Sequence, residues 1–117
     1  MKGGAIQDKS FEFAVRVVNL YRHLCERQRE FVLSKQLLRS GTPIGALVRE
    51  AEQAETKNDF IHKMAIALKE AQETGYWIEL LKETAYLDAS SFKSIHGDLL
   101  EFISLLTRII KTAKNRR

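Results

Sequence analysis

Four stretches of this chain carry apolar residues at intervals of three and four, and only a few residues separate each stretch from the next. That interval is the period of an amphipathic α-helix, and short joints between long helices force each to run antiparallel to the one before. The pattern is densest at residues 90–114, where Ile95, Leu99, Phe102, Ile103, Leu106, Ile109, Ile110 and Ala113 share one face of an otherwise polar helix. Residues 58–83 carry Phe60, Ile61, Met64, Leu68, Ala71, Gly75 and Ile78 in the same way. Residues 10–29 carry two adjacent stripes, Phe13, Val17, Leu20, Leu24 and Phe11, Ala14, Val18, Tyr21, Cys25. Together these span an arc of about 220°, against the roughly 100° that one buried side requires.

The remaining stretch, residues 31–55, holds Gly41-Thr42-Pro43 in its middle. A threonine followed by proline is a helix-start signal and argues for a break. Leu33, Leu37, Ser40, Ile44, Leu47 and Ala51 nevertheless keep one helical stripe straight through the tripeptide, which two independently oriented helices have no reason to preserve. The spacing therefore predicts one helix kinked near 41–43, where Pro43 leaves the Arg39 carbonyl without its helical donor. The predicted fold is all-α, a single antiparallel up-down-up-down four-helix bundle over residues 1–117, with a basic tail at 114–117.

The chain has 117 residues, enough for one hydrophobic core, and a formal net charge of +4 from 19 Lys+Arg and 15 Asp+Glu. Lys111, Lys114, Arg116 and Arg117 account for that whole excess, and no acid follows Glu101. One cysteine, Cys25, excludes an intramolecular disulfide and a Cys-rich zinc site. No apolar run has the length of a membrane span or a signal peptide, which predicts a cytoplasmic protein without a membrane role.

At Ser34–Ala51 (SKQLLRSGTPIGALVREA) and Asp59–Leu81 (DFIHKMAIALKEAQETGYWIELL) the chain resembles the 23S rRNA intervening-sequence protein family, often called four helix bundle proteins. The most specific parts are the Ser34–Ser40 opening, Ile44-Gly45-Ala46, and the block from Phe60-Ile61-His62-Lys63 to Ala71, Glu73, Thr74 and Trp77. The resemblance implies a small bacterial cytosolic bundle assembling as a ring-like homopentamer, whose genes can lie inside inserts in large-subunit ribosomal RNA genes. It implies no established activity. The accessory variability proteins of diversity-generating retroelements, a related group, are basic pentameric bundles that bind nucleic acid and a reverse transcriptase, so RNA binding follows by analogy alone. The chain departs from the family pattern after Ile44-Gly45-Ala46, where Asn, an aliphatic residue and Ala are expected and Leu47, Val48 and Arg49 stand.

Catalytic chemistry finds little to work with. A di-metal bundle wants two Glu-x-x-His elements plus two further inward glutamates, and the nearest match here is the single Asp59-Phe60-Ile61-His62. No Walker loop or dinucleotide fingerprint is present, and Cys25 on an apolar face reads as a small hydrophobe. No enzyme activity, metal or cofactor is predicted. The wide arc and the outlying Ile66 and Trp77 point to a subunit interface, with Phe13, Val17, Leu20, Leu24, Ile66 and Trp77 as its candidates. The alternative is that they are scattered surface residues, or core reached by helix rotation. Lys35, Arg39 and Arg49 share a helix face, and with Arg108, Lys111, Lys114, Arg116 and Arg117 they are the candidate phosphate contacts. The alternative is an ordinary solvated face and a cation cluster that complements a helix dipole. The predicted function is a non-enzymatic homo-oligomer that binds RNA through phosphates, or else a homo-oligomeric protein–protein adaptor that never touches RNA.

Overall fold

The computed structural model describes residues 4–116. Five α-helices follow in order: α1 (Ala5–Glu26), α2 (Leu33–Gly41), α3 (Pro43–Glu52), α4 (Lys57–Glu83) and α5 (Ala89–Asn115), in a body of 49 × 22 × 20 Å. α2 and α3 together make one arm of a four-membered bundle. Each of α1 and α4 packs on that arm and on α5, so α1 sits diagonally from α4. Cross-helix pairs fix the directions. Lys9 meets Glu101 and Arg16 meets Asp98 between α1 and α5, Arg39 meets Glu73 and Glu50 meets Lys63 between the α2–α3 arm and α4, and Glu79 meets His96 and Lys82 lies over the Phe92 ring between α4 and α5. In each pairing one chain number rises as the other falls, so neighbouring arms run antiparallel.

Thr42 is the joint between α2 and α3, and its backbone stays in the right-handed helical region (φ −81°, ψ −31°). Its N–H donates to the Leu38 carbonyl at 3.2 Å, and its hydroxyl donates to the same oxygen at 2.8 Å. Thr42 thus continues α2 as well as preceding Pro43, and its side chain caps nothing. The apolar stripe runs through as its spacing requires: Leu37, Ile44, Val48 and Ala51 are buried, and Leu33 and Leu47 pack against the core. Buried Ser40 and Thr74 join across the arms with their hydroxyl oxygens 2.9 Å apart, while Thr74 donates to the Glu70 carbonyl at 2.8 Å.

Helix ends are closed by local chemistry. Buried Glu30 accepts from the N–H groups of Val32 (3.1 Å), Leu33 (2.9 Å) and Ser34 (2.7 Å), satisfying the donors that open α2. Arg29 takes a left-handed φ of 57° to turn the chain there. Thr56 accepts from the Asp59 N–H at 3.0 Å and Asp88 from the Ser91 N–H at 2.7 Å, which begin α4 and α5. α4 ends with Ala85 at φ 69°, its N–H on the Lys82 carbonyl and the Tyr86 N–H on the Leu81 carbonyl at 2.8 Å. α1 begins five residues earlier than its apolar stripe suggests, because Ile6 is buried and the Gly4 carbonyl accepts from the Gln7 and Asp8 N–H groups.

Two predictions follow from these contacts. A Cβ at Gly41 would stand 2.8 and 2.9 Å from the two methyls of fully buried Val17, a stiff β-branched side chain. Gly41→Ala should therefore cost about 1–3 kcal/mol in urea unfolding, and less in a Val17→Ala background where the methyls are gone. Equal costs in both backgrounds would mean that the close approach does not set the energy. The second concerns acid. Burial alone would raise the Glu30 carboxyl, but the Leu33, Ser34 and Val32 N–H groups and the Ser34 hydroxyl outweigh it and hold it below its usual value. The stability it contributes is present above the unfolded value of about 4.3 and is lost as pH falls through the lower folded value. Unfolding curves of the wild type and Glu30→Gln should differ most above about pH 5 and converge below that window.

Candidate nucleic-acid interface

The last turns of α5 run out along one end of the bundle beside the first turn of α4. Arg108, Lys111, Lys114 and Arg116 are all exposed there. Lys57, the first residue of α4, donates from its ammonium to the Arg116 carbonyl and ties the two helix ends together. Arg108 and Lys111 lie three apart on the outer face of α5 and Lys114 three further on, with no acid in that part of the helix. Arg117 lies outside the described residues.

The cations of the α2–α3 arm do not join this cluster. Lys35 is exposed near the start of α2. Arg39 is held by Glu73 of α4 at 2.7 Å and by Gln36 of its own helix. That glutamate also accepts from the Trp77 indole N–H at 3.0 Å. The Trp77 bond lowers the Glu73 carboxyl most, burial opposes it, and the Arg39 bond and charge lower it further. Arg49 sits 5.3 Å above the Phe11 ring, in a hollow it shares with Asp8, Glu12 and Glu52. The basic stripe expected from Lys35, Arg39 and Arg49 is therefore broken up by carboxylates and an aromatic ring that the neighbouring helices supply.

The candidate interface residues divide as well. Phe13, Val17 and Leu24 are 3%, 0% and 0% exposed, inside the core of a single chain, and offer no surface to a second copy. α1 packs on the α2–α3 arm on one side and on α5 on the other, which consumes that stripe. Leu20, Ile66 and Trp77 are half-buried. The apolar surface that does face solvent is Phe11 and Val15 on α1, Phe31 and Val32 before α2, Tyr76 on α4 and Leu100 on α5. Tyr76 packs edge-on to Trp77 with ring centroids 4.9 Å apart.

Other chemistry is thinly represented. Among the described residues no group of three or more His, Cys, Asp or Glu could hold a metal ion, and no helix is long and apolar enough to cross a membrane. Cys25 is a half-buried free thiol with its sulfur 3.7 Å from the Ser34 hydroxyl. A hollow of about 530 Å³ lies between α1 and the α4–α5 turn, but its arginine, Arg16, is already bound to Asp98 at 2.5 Å and to Ser94.

Residues 4–108 match the family described as 23S rRNA-intervening sequence protein. The chain belongs to that family. Among solved structures it is similar to a protein of unknown function from the S23 ribosomal protein family of Bacteroides thetaiotaomicron, with 58% identity and a TM-score of 0.90 over 92% of this chain and 99% of that one. No curated protein matches. For this intervening-sequence protein the matched span ends at Arg108, so Lys111, Lys114 and Arg116 lie beyond it. The three residues that follow Ile44-Gly45-Ala46 are each placed by packing. Val48 is fully buried, Leu47 packs against the core and Arg49 covers Phe11. Sequence reasoning missed Lys57 and the partial exposure of Phe60 at the cationic end, since a helical stripe says which residues face inward but not where a bundle end opens.

Removing the indole donor by Trp77→Phe should raise the Glu73 titration midpoint, and so should Arg39→Gln, which removes both a bond and a charge. A carbon-13 carboxyl pH titration reads both, and an unmoved midpoint in Trp77→Phe would show that the indole bond is not formed in solution.

Proposed function

We propose that this chain is a non-catalytic, self-associating bundle of the bacterial cytosol that holds RNA by its phosphates at the end where α5 finishes. The observation that carries the reading is the exposed, acid-free run of Arg108, Lys111, Lys114 and Arg116. Each is free of the carboxylate contacts that engage Arg16 and Arg39, judged by the ion pairs among the described residues. A helix dipole accounts for a cation in the last turn, which is Lys114, but its influence does not reach back to Arg108. Phosphate contacts of this kind position an RNA without reading its bases, so binding is largely indifferent to sequence.

Self-association multiplies such contacts by avidity, and a ring of five copies would present five cationic ends. Tyr76 at 57% and Phe11 at 55% exposure supply the kind of surface that association removes from water. The same residues favour the second reading, a homo-oligomeric adaptor for a protein partner. Salt separates the two, because phosphate binding weakens steeply between about 50 and 200 mM salt whereas an apolar interface changes little.

The test is fluorescence anisotropy of nuclease-treated protein against RNA across that salt range. Lys111→Glu combined with Lys114→Glu should weaken binding at least about tenfold and make the salt slope shallower by about two. Lys35→Glu should change it far less. No binding at the lowest salt would leave the adaptor as the function, and a monomer in light scattering at micromolar concentration would remove self-association.

A further inference from the structure

Between the first turns of α4 and the last turns of α5 runs a groove of about 350 Å³, lined by Phe60, Leu105, Arg108, Ile109, Thr112, Ala113 and Arg116. Its floor is apolar, with Phe60, Leu105 and Ile109 only partly buried, and both lining charges are arginines. Building on the phosphate reading above, we infer that this groove seats unpaired nucleotides of RNA, with a base against Phe60 and its flanking phosphates on Arg108 and Arg116.

Charge distinguishes this groove from the two larger hollows described above. The one around Arg49 holds Asp8, Glu12 and Glu52, so its field repels a phosphate. The one beside the α4–α5 turn is walled by Asp88, and its Arg16 is committed to Asp98. Among the described residues no carboxylate lines the α4–α5 groove, and Lys57 adds a third cation at its mouth while its bond to the Arg116 carbonyl holds the end of α5 in place. A cationic track beside an aromatic ring is what single-stranded nucleic acid engages, since every base has a flat face and every nucleotide a charge. A duplex hides its base faces and can use only the cations. The volume falls in the usual range for a ligand pocket, about 300–1,000 Å³. The Thr112 hydroxyl on the groove wall adds one hydrogen-bonding group for a base edge.

The full chain is titrated by anisotropy with oligouridylate of about twelve nucleotides and with an RNA duplex of equal length, at about 50 and 200 mM salt. The single strand should bind about tenfold tighter than the duplex, although the duplex carries the higher charge density. Phe60→Leu keeps the apolar volume and removes the flat ring. It should abolish that preference while leaving duplex affinity, salt slope and helical circular dichroism unchanged. Equal binding of the two RNAs by the wild type, or a preference that survives Phe60→Leu, would overturn the groove and leave the phosphate reading standing. Failure of both RNAs to bind at the lower salt would overturn the phosphate reading and the groove together. Anionic phosphatidylglycerol vesicles serve as a third probe, and binding to them in place of RNA would assign the groove to lipid and overturn the inference.

Discussion

The bundle depends on a residue without a side chain. Gly41 lies against the methyls of Val17 so closely that a single added carbon would collide with them, and this contact sets how near the α2–α3 arm comes to α1. Close approach at that level lets the arm carry a helical joint and still seal the core, because Val17, Leu37 and Ile44 are all fully buried around it. Pro43 belongs to the same solution. It has no N–H to donate, so the helix must loosen at this point, and the Thr42 hydroxyl adds a second bond to the Leu38 carbonyl. On the other side of the joint Ser40 meets Thr74 of α4, a buried polar contact that would be costly if displaced. One level of the bundle thus fixes three of its four arms.

Much of this was legible in the residues. The three-and-four spacing identified every arm, but the stripe from Leu33 to Ala51 predicted one kinked helix where the structure has two, α2 and α3, which meet at Thr42 with Pro43 opening the second, while the stripe stays on the side that faces the core. The start of α1 was not legible, because Gly4 and a lone Ile6 among polar residues give no periodic signal until the core that receives Ile6 is known. The wide apolar arc of α1 was read as more surface than one chain could bury. In fact its Phe13, Val17 and Leu24 stripe goes to the core, and the neighbouring stripe with Phe11 stays partly in water. Periodicity gives the angle between two stripes on one helix, but not which of them a neighbouring helix will cover.

The basic residues show the same limit from the electrostatic side. Lys35, Arg39 and Arg49 share a helix face, yet Glu73 arrives from α4 to take Arg39, and Asp8 and Glu12 arrive from α1 beside Arg49. A charge inventory along one helix cannot see partners delivered by another. The α5 cluster escapes this because the first turn of α4 meets it with Lys57 and Phe60 rather than with a carboxylate.

That cluster is also unfavourable within its own helix. Arg108, Lys111 and Lys114 repeat at intervals of three, which places like charges side by side, and the positions four before and four after Arg108 are Ser104 and Thr112 rather than acids. Each such pair opposes helix formation by about 0.2–0.5 kcal/mol. Core packing by Leu106 and Ile110 on the opposite face easily outweighs so small a cost, so the helix forms regardless. What remains is a rigid row of charges whose repulsion is relieved when an anion lies along it. A flexible tail of the same composition would first have to lose its freedom on binding, whereas α5 holds its cations in register before any ligand arrives.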